Sequence, residues 1–175
     1  MDVAVVGEGA ARERVALLHI AAHRTDDTMW RVAAQTGAGY IAMHMQGTPQ
    51  TMQNAPEYVD VVTTVEAFFA ERLEAMSATG LLAEQVALDP GIGFGKTSGH
   101  KLALLAELTR FTRFQRPLMV GASRKSFLGG KVTERLASSI ACACRAGAAG
   151  AGIVRVHDVR ETVQALRTWE AINGA

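Results

Sequence analysis

The sequence predicts an α/β fold of parallel β/α units, arranged as part of a (β/α)8-type barrel. Two patterns carry that expectation. After residue 36, short apolar runs alternate with amphipathic stretches about four times, the order that a parallel sheet with crossover helices requires. The polar residues His44, Asp89, Ser123–Lys125, Arg155 and His157 all fall at or just after the C-terminal end of a predicted strand. Barrel enzymes place their chemistry at that end. A doubly wound sheet also binds ligands there, so this placement favours the barrel without excluding the alternative. Length sets the limit: a full barrel takes about 250 residues, and the chain has 175. The expected architecture is therefore a partial barrel.

The elements follow in order. GYIAMHM, residues 39–45, is a short, mostly apolar run that follows a glycine and stops at Gln46-Gly47, and it reads as a buried strand. Residues 56–78 carry Val61, Val62, Val65, Phe69, Leu73 and Met76 at helical spacing, and Gly80 stands where a C-terminal cap falls. QVALD then forms a second strand ending at Asp89-Pro90, followed by a glycine-rich loop. Residues 100–113 return to helical spacing through Leu102, Leu105, Leu108 and Phe111. A third strand spans 117–125, a helix about 133–147, and a fourth strand 152–159. The last helix starts at Asp158, with Glu161 three residues on in a capping-box arrangement.

Composition narrows the classes of function. Hydrophobic residues are 49% and charged residues 20%, ordinary for a globular core and unlike a disordered chain. With 18 Lys and Arg against 17 Asp and Glu, the chain lacks the basic surface that phosphate contacts of a nucleic-acid binder need. No apolar run approaches the roughly 18 residues of a membrane span. The N-terminus has neither the basic start nor the apolar stretch of a secretory signal. The expected compartment is the cytoplasm. The two cysteines, Cys142 and Cys144, lie two apart in an Ala-rich stretch and read as small fillers of a packed helix.

Four segments hold the candidate chemistry. Asp89, at a strand end, suits a flat N–H/NH2 edge that donates two hydrogen bonds to its carboxylate; it equally suits the start of a D-P-G turn. GIGFGK, residues 91–96, lacks the spacing of a Walker A loop or a dinucleotide fingerprint, and reads more readily as a mobile turn than as a phosphate cradle. Residues 121–126, Gly-Ala-Ser-Arg-Lys-Ser, concentrate two cations and two hydroxyls at a strand end, fitting an anionic or carbonyl-bearing ligand or a solvated loop. Arg155 and His157 alternate onto one face of a strand, where both can reach one phosphate or diphosphate. His44, between two methionines, reads as a hydrogen-bonded structural residue.

Taken together, MHMQGTPQTMQ (43–53), LDPGIGFGKT (88–97), GASRKSFLG (121–129) and RVHDV (155–159) resemble dihydropteroate synthase in order and spacing. Members of that family are (β/α)8 barrels that join 4-aminobenzoate to 6-hydroxymethyl-7,8-dihydropterin diphosphate in folate synthesis, releasing diphosphate. The resemblance implies that Asp89 holds the pterin edge, that Lys125 binds a pterin carbonyl or ring nitrogen, and that Met43 lines the pterin pocket. It also implies that Arg155 and His157 bind the diphosphate, and that Phe94, Lys125 and Ser126 lie near the aminobenzoate.

The same resemblance implies departures. The family's first three β/α units, which help bind Mg2+ and diphosphate, have no counterpart here, so the expected barrel is truncated at its N-terminus. Residues 1–22 read as an atypical leader and 23–175 as the pterin-binding domain, with Leu18 and His19 standing where the family has Asn and Asp. The Mg2+ of the family would lack the segment that bears its ligands. Open sheet edges invite pairing with another chain, so a homo-oligomer, or a need for an N-terminal half, is expected. A non-catalytic pterin-binding remnant or partner subunit and a pterin-dependent methyltransferase of the same barrel type are the alternatives.

Overall fold

The computed structural model describes residues 27–52 and 54–174, together with the backbone of residues 3–6 and 16–19. Its strands are β1 (Val3–Val6), β2 (Ala16–His19), β3 (Gly39–Met43), β4 (Val86–Asp89), β5 (Met119–Val120) and β6 (Ile153–Val156). Its helices are α1 (Thr28–Thr36), α2 (Val61–Ala78), α3 (Ser98–Ala106), α4 (Leu136–Ala148) and α5 (Val159–Asn173). The strands form two three-stranded sheets, ordered β2-β3-β4 and β5-β6-β1. A parallel bridge between Leu88 and Leu118 joins them, with the Leu88 amide donating to the Pro117 carbonyl at 2.8 Å. All pairings from β2 to β6 are parallel, as the alternating pattern predicts.

The exception is β1, which pairs antiparallel with β6. An all-parallel reading misses it because the direction of a strand follows from the path of the chain, which the local residue pattern does not show. Its pairing occupies one of the two edges expected to be open. The boundary expected at residue 22 and the substitutions at Leu18 and His19 concern side chains outside the described residues, although the backbone of β2 pairs with β3 as a strand should.

Several boundaries move for physical reasons. The helix expected from residue 56 begins at Val61 because Asp60 caps it, its carboxylate accepting from the Thr63 amide at 2.6 Å. The helix expected over 100–113 breaks: α3 stops at Ala106, and Leu108–Phe114 is a 3-10 helix. Residues three apart eclipse in that geometry, so Leu108, Phe111 and Phe114 turn together toward the core while Leu102 faces solvent. The third strand shrinks to Met119–Val120; Pro117 has no N–H to donate, and the chain turns after Gly121, with Arg124 at φ 54°. Asp158 precedes α5, yet its side chain makes no capping bond. Its carboxylate is taken by Arg124 instead, which also holds it below the usual carboxylate range. Helix α1 escapes the hydropathy pattern because only Trp30 and Ala33 on it are buried.

Two periodic faces organise the sheet. Tyr40, Ala42, Val86, Leu88, Leu118, Val120, Val154 and Val156 pack with helix residues Val65, Phe69, Met76 and Leu104 in the main core. On the other face Ile41, Ala87 and Met119 form a separate apolar cluster with Ile153. Those four are aligned by strand register, Ile41 opposite Ala87 and Met119 opposite Ile153. At the main core's margin, the buried Glu66 carboxylate is met by Arg110 and by Arg113 at 3.4 Å. Cys142 and Cys144 are free and half-buried on α4, and burial pushes the Cys142 thiol up.

Candidate active site

Strand alternation carries the second face one step further toward the strand C-termini. Two residues beyond the Ile41, Ala87, Met119 and Ile153 layer come Met43, Asp89, Gly121 and Arg155. Met43 stands directly opposite Asp89 in the register. Gly121 has no side chain, and the Arg155 guanidinium lies across it: a Cβ there would be 3.2 Å from Nε. One apolar layer thus supports one layer that carries a carboxylate, a guanidinium and a thioether.

Asp89 is buried, 2% exposed. Its carboxylate accepts from the Gly91 amide at 2.7 Å, the D-P-G turn that the sequence permits. Burial pushes its pKa up, while the Gly91 N–H and the nearby Lys125, Arg155 and Lys96 pull in the opposite direction. The charges of Lys125, Arg155 and Lys96 therefore favour the ionised acid against its burial.

The glycine-rich loop is tied down rather than free. Gly91 and Gly95 have φ 67° and 61°, and both run against the chain after β3. A Cβ at Gly91 would meet the His44 carbonyl oxygen at under 3.0 Å, and one at Gly95 would stand 2.6 Å from the Gln46 oxygen. The Tyr58 hydroxyl donates to the Gly95 carbonyl at 2.8 Å, and burial pushes the Tyr58 pKa up to about 12. Lys125 donates to the Ile92 carbonyl, and its ammonium lies 4.7 Å from the Phe94 ring centroid, a cation–π geometry. Phe94 packs in turn with Met43, Met45 and Met52.

The remaining candidates divide. His157 is exposed and is held by Ser123, whose Oγ lies 3.0 Å from Nδ1 and accepts from the His157 amide at 3.2 Å. The burial pattern of β6 puts Arg155 on the face opposite Val154 and Val156, as alternation predicts. Ser126 is exposed at the start of a short 3-10 turn. Arg124 does not join Lys125: it pairs with Asp158 and clamps the turn after β5 to the start of α5. His44 is buried and bonded to Lys96, the structural role expected of it. Lys96 itself is visible in the sequence only as the last residue of GIGFGK; nothing local in that string shows that it is buried.

Among the described residues no group of three His, Cys, Asp or Glu side chains comes together. The family's Mg2+ finds no such cluster among the described residues. Among the described residues no helix is long and apolar enough to cross a membrane.

In sequence and in fold the chain is similar to known proteins. A profile described as pterin binding enzyme matches residues 1–157. The dihydropteroate synthase of Escherichia coli (strain K12) is 49% identical over 143 residues, covering 79% of this chain and 51% of that protein. That of Synechocystis sp. is 44% identical over 146 residues, covering 81% of this chain and 50% of that protein. The chain thus spans about half the length of the curated relatives it matches. Among solved structures, Yersinia pestis dihydropteroate synthase in a sulfonamide drug complex superposes with a TM-score of 0.86 at 40% identity, covering 91% of this chain and 59% of that one. The Thermus thermophilus enzyme in complex with 4-aminobenzoate gives 0.85 at 36% identity, covering 91% and 66%. The chain belongs to the pterin binding enzyme family and is a relative of the dihydropteroate synthases.

Proposed function

We propose that this chain carries the pterin- and aminobenzoate-facing part of a dihydropteroate synthase site. The observation that supports it most is the buried Asp89 carboxylate, level with Met43 and Arg155 and approached by Lys125. On this reading Asp89 accepts two hydrogen bonds from the amino-pyrimidine edge of the pterin, and Met43 packs on the ring. Lys125 meets a pterin carbonyl or ring nitrogen, while Phe94 and Ser126 border the aminobenzoate. Arg155 and His157 take the diphosphate. The amine nitrogen of 4-aminobenzoate bonds to the exocyclic methylene carbon of the pterin as the bond from that carbon to the diphosphate oxygen breaks. The electron pair leaves with the diphosphate, and the amine proton passes to solvent. Cations on the leaving group lower the barrier, and a fixed pterin aligns the carbon for attack. The six strands are, on the same reading, an arc of a (β/α)8 barrel in a cytoplasmic enzyme. A second copy of the chain or an N-terminal half adds to the outer edge of β2.

Calorimetric titration with the pterin diphosphate tests the reading. Saturable binding is expected, and turnover with 4-aminobenzoate is then assayed with and without an N-terminal half; a folded sample that binds nothing overturns the reading. Asp89→Asn should weaken binding by about 1–3 kcal/mol, the range for a charge-assisted hydrogen bond, and an unchanged Kd would remove Asp89 from the site. Arg155→Ala should weaken the diphosphate ligand about tenfold more than the bare hydroxymethyl pterin. Equal losses for the two ligands would make Arg155 a structural residue.

A further inference from the structure

Lys96 is almost completely enclosed, 1% exposed, and three acceptors surround its amine. Nδ1 of His44 is 2.9 Å from Nζ, the Phe94 carbonyl 3.0 Å and the His44 carbonyl 3.4 Å. An ammonium has three N–H donors and no acceptor, so these three contacts match its capacity. They also span two elements, because His44 follows β3 and Phe94 lies in the loop after β4. The loop backbone passes close over the amine, since a Cβ at Gly91 would be 3.3 Å from Nζ.

We propose that Lys96 is a positioning residue: its enclosed amine, held between His44 and the Phe94 carbonyl, pins the 91–95 loop to the end of β3 and sets where Phe94 presents its ring. This rests on the proposed synthase reading for what Phe94 then faces, the aminobenzoate. With Lys96 as the ammonium, Nδ1 of His44 would accept and the ring proton would sit on Nε2. The ring is further fixed edge-on to Phe68, with centroids 5.0 Å apart. Burial lowers the Lys96 pKa to about 7; Asp89 opposes this, and Lys125 and Lys101 reinforce it. The loop is therefore held by this enclosed polar contact as well as by the burial of Ile92 in the main core and the packing of Phe94 against the methionines.

The test compares wild type with Lys96→Met, which keeps the stem and removes the donors. Nitrogen NMR of His44 should report the Nε2–H tautomer with a hydrogen-bonded Nδ1 in wild type, and the loss of that bond in the variant. Amide exchange at Phe94 should accelerate at least tenfold, with Val154 in the main core unchanged. In steady-state assays the KM for 4-aminobenzoate should rise at least tenfold while that for the pterin diphosphate moves little. Should Lys96→Met fail to fold, His44→Leu removes the Nδ1 acceptor alone and should still accelerate Phe94 exchange. Unchanged exchange and tautomer, or acceleration spread evenly over the chain, would overturn the proposal. A folded wild-type chain that binds no pterin diphosphate would refute the synthase reading while leaving the NMR and exchange results to decide the role of Lys96.

Discussion

Gly91→Ala is expected to lower folding stability by about 3 kcal/mol or more and to remove ligand binding with it. A non-glycine residue in the left-handed region costs about 1–3 kcal/mol, and Gly91 sits at φ 67°. Overpacking adds about another 1–3 kcal/mol, because the new Cβ meets the backbone carbonyl of His44 rather than a movable side chain. That carbonyl cannot retreat. Its own residue donates an amide hydrogen bond to the Asp89 carbonyl at 3.0 Å, and Met43 before it is paired with Asp89 in the sheet. Displacing Gly91 instead would pull its N–H from the Asp89 carboxylate. Gly37 supplies the control: its φ is 71°, and a Cβ added there would have nothing within 4 Å. Gly37→Ala should therefore show the conformational cost alone. Urea denaturation of both variants separates the two contributions, and equal losses would mean that the His44 carbonyl yields to the new methyl group.

Phe69→Ala should cost about 3–5 kcal/mol, the range for emptying a buried aromatic site. Phe69 is fully buried on α2 and meets Phe111 and Phe114 edge-on, with ring centroids 5.6 and 5.8 Å away. Both partners belong to the 3-10 segment after α3, so the cavity would open where two helical layers join. The neighbouring Phe68 faces the other way, toward the His44 ring. The loss should thus appear in the global unfolding midpoint, while ligand affinity measured on the folded fraction stays close to wild type. A loss below about 2 kcal/mol would mean that the surrounding helices close over the space.

Much of this molecule is legible in its pattern of residues. The runs at 39–45, 85–89 and 152–159 announce strands, which the structure trims to Gly39–Met43, Val86–Asp89 and Ile153–Val156, and the spacing of Val61, Val65, Phe69 and Met76 announces α2. Period two is enough to put Arg155 on the face opposite Val154 and Val156. Helix α1 is hidden because it buries little. The break between α3 and the 3-10 segment is hidden because Leu105, Leu108 and Phe111 satisfy both helical periods locally.

Asp158 illustrates the other limit. Its spacing to Glu161 fits a capping box, but its carboxylate goes to Arg124, 34 residues earlier in the chain. A local motif states what a side chain can do nearby, and a stronger charged partner brought in by the fold decides what it does. Lys96 and His44 are 52 residues apart, and each looks ordinary in its own segment.

The sequence by itself determined which residues alternate inward on each strand, which helices have an apolar stripe, and that the polar residues gather at strand C-termini. The periods of helix and strand make such statements local. Tertiary structure alone decided that β1 runs antiparallel along β6, that Arg124 turns away from Lys125, and that Lys96 is sealed against His44. Each of these depends on which strands become neighbours and in what register, and that is settled by the burial of the whole sheet rather than by any one segment.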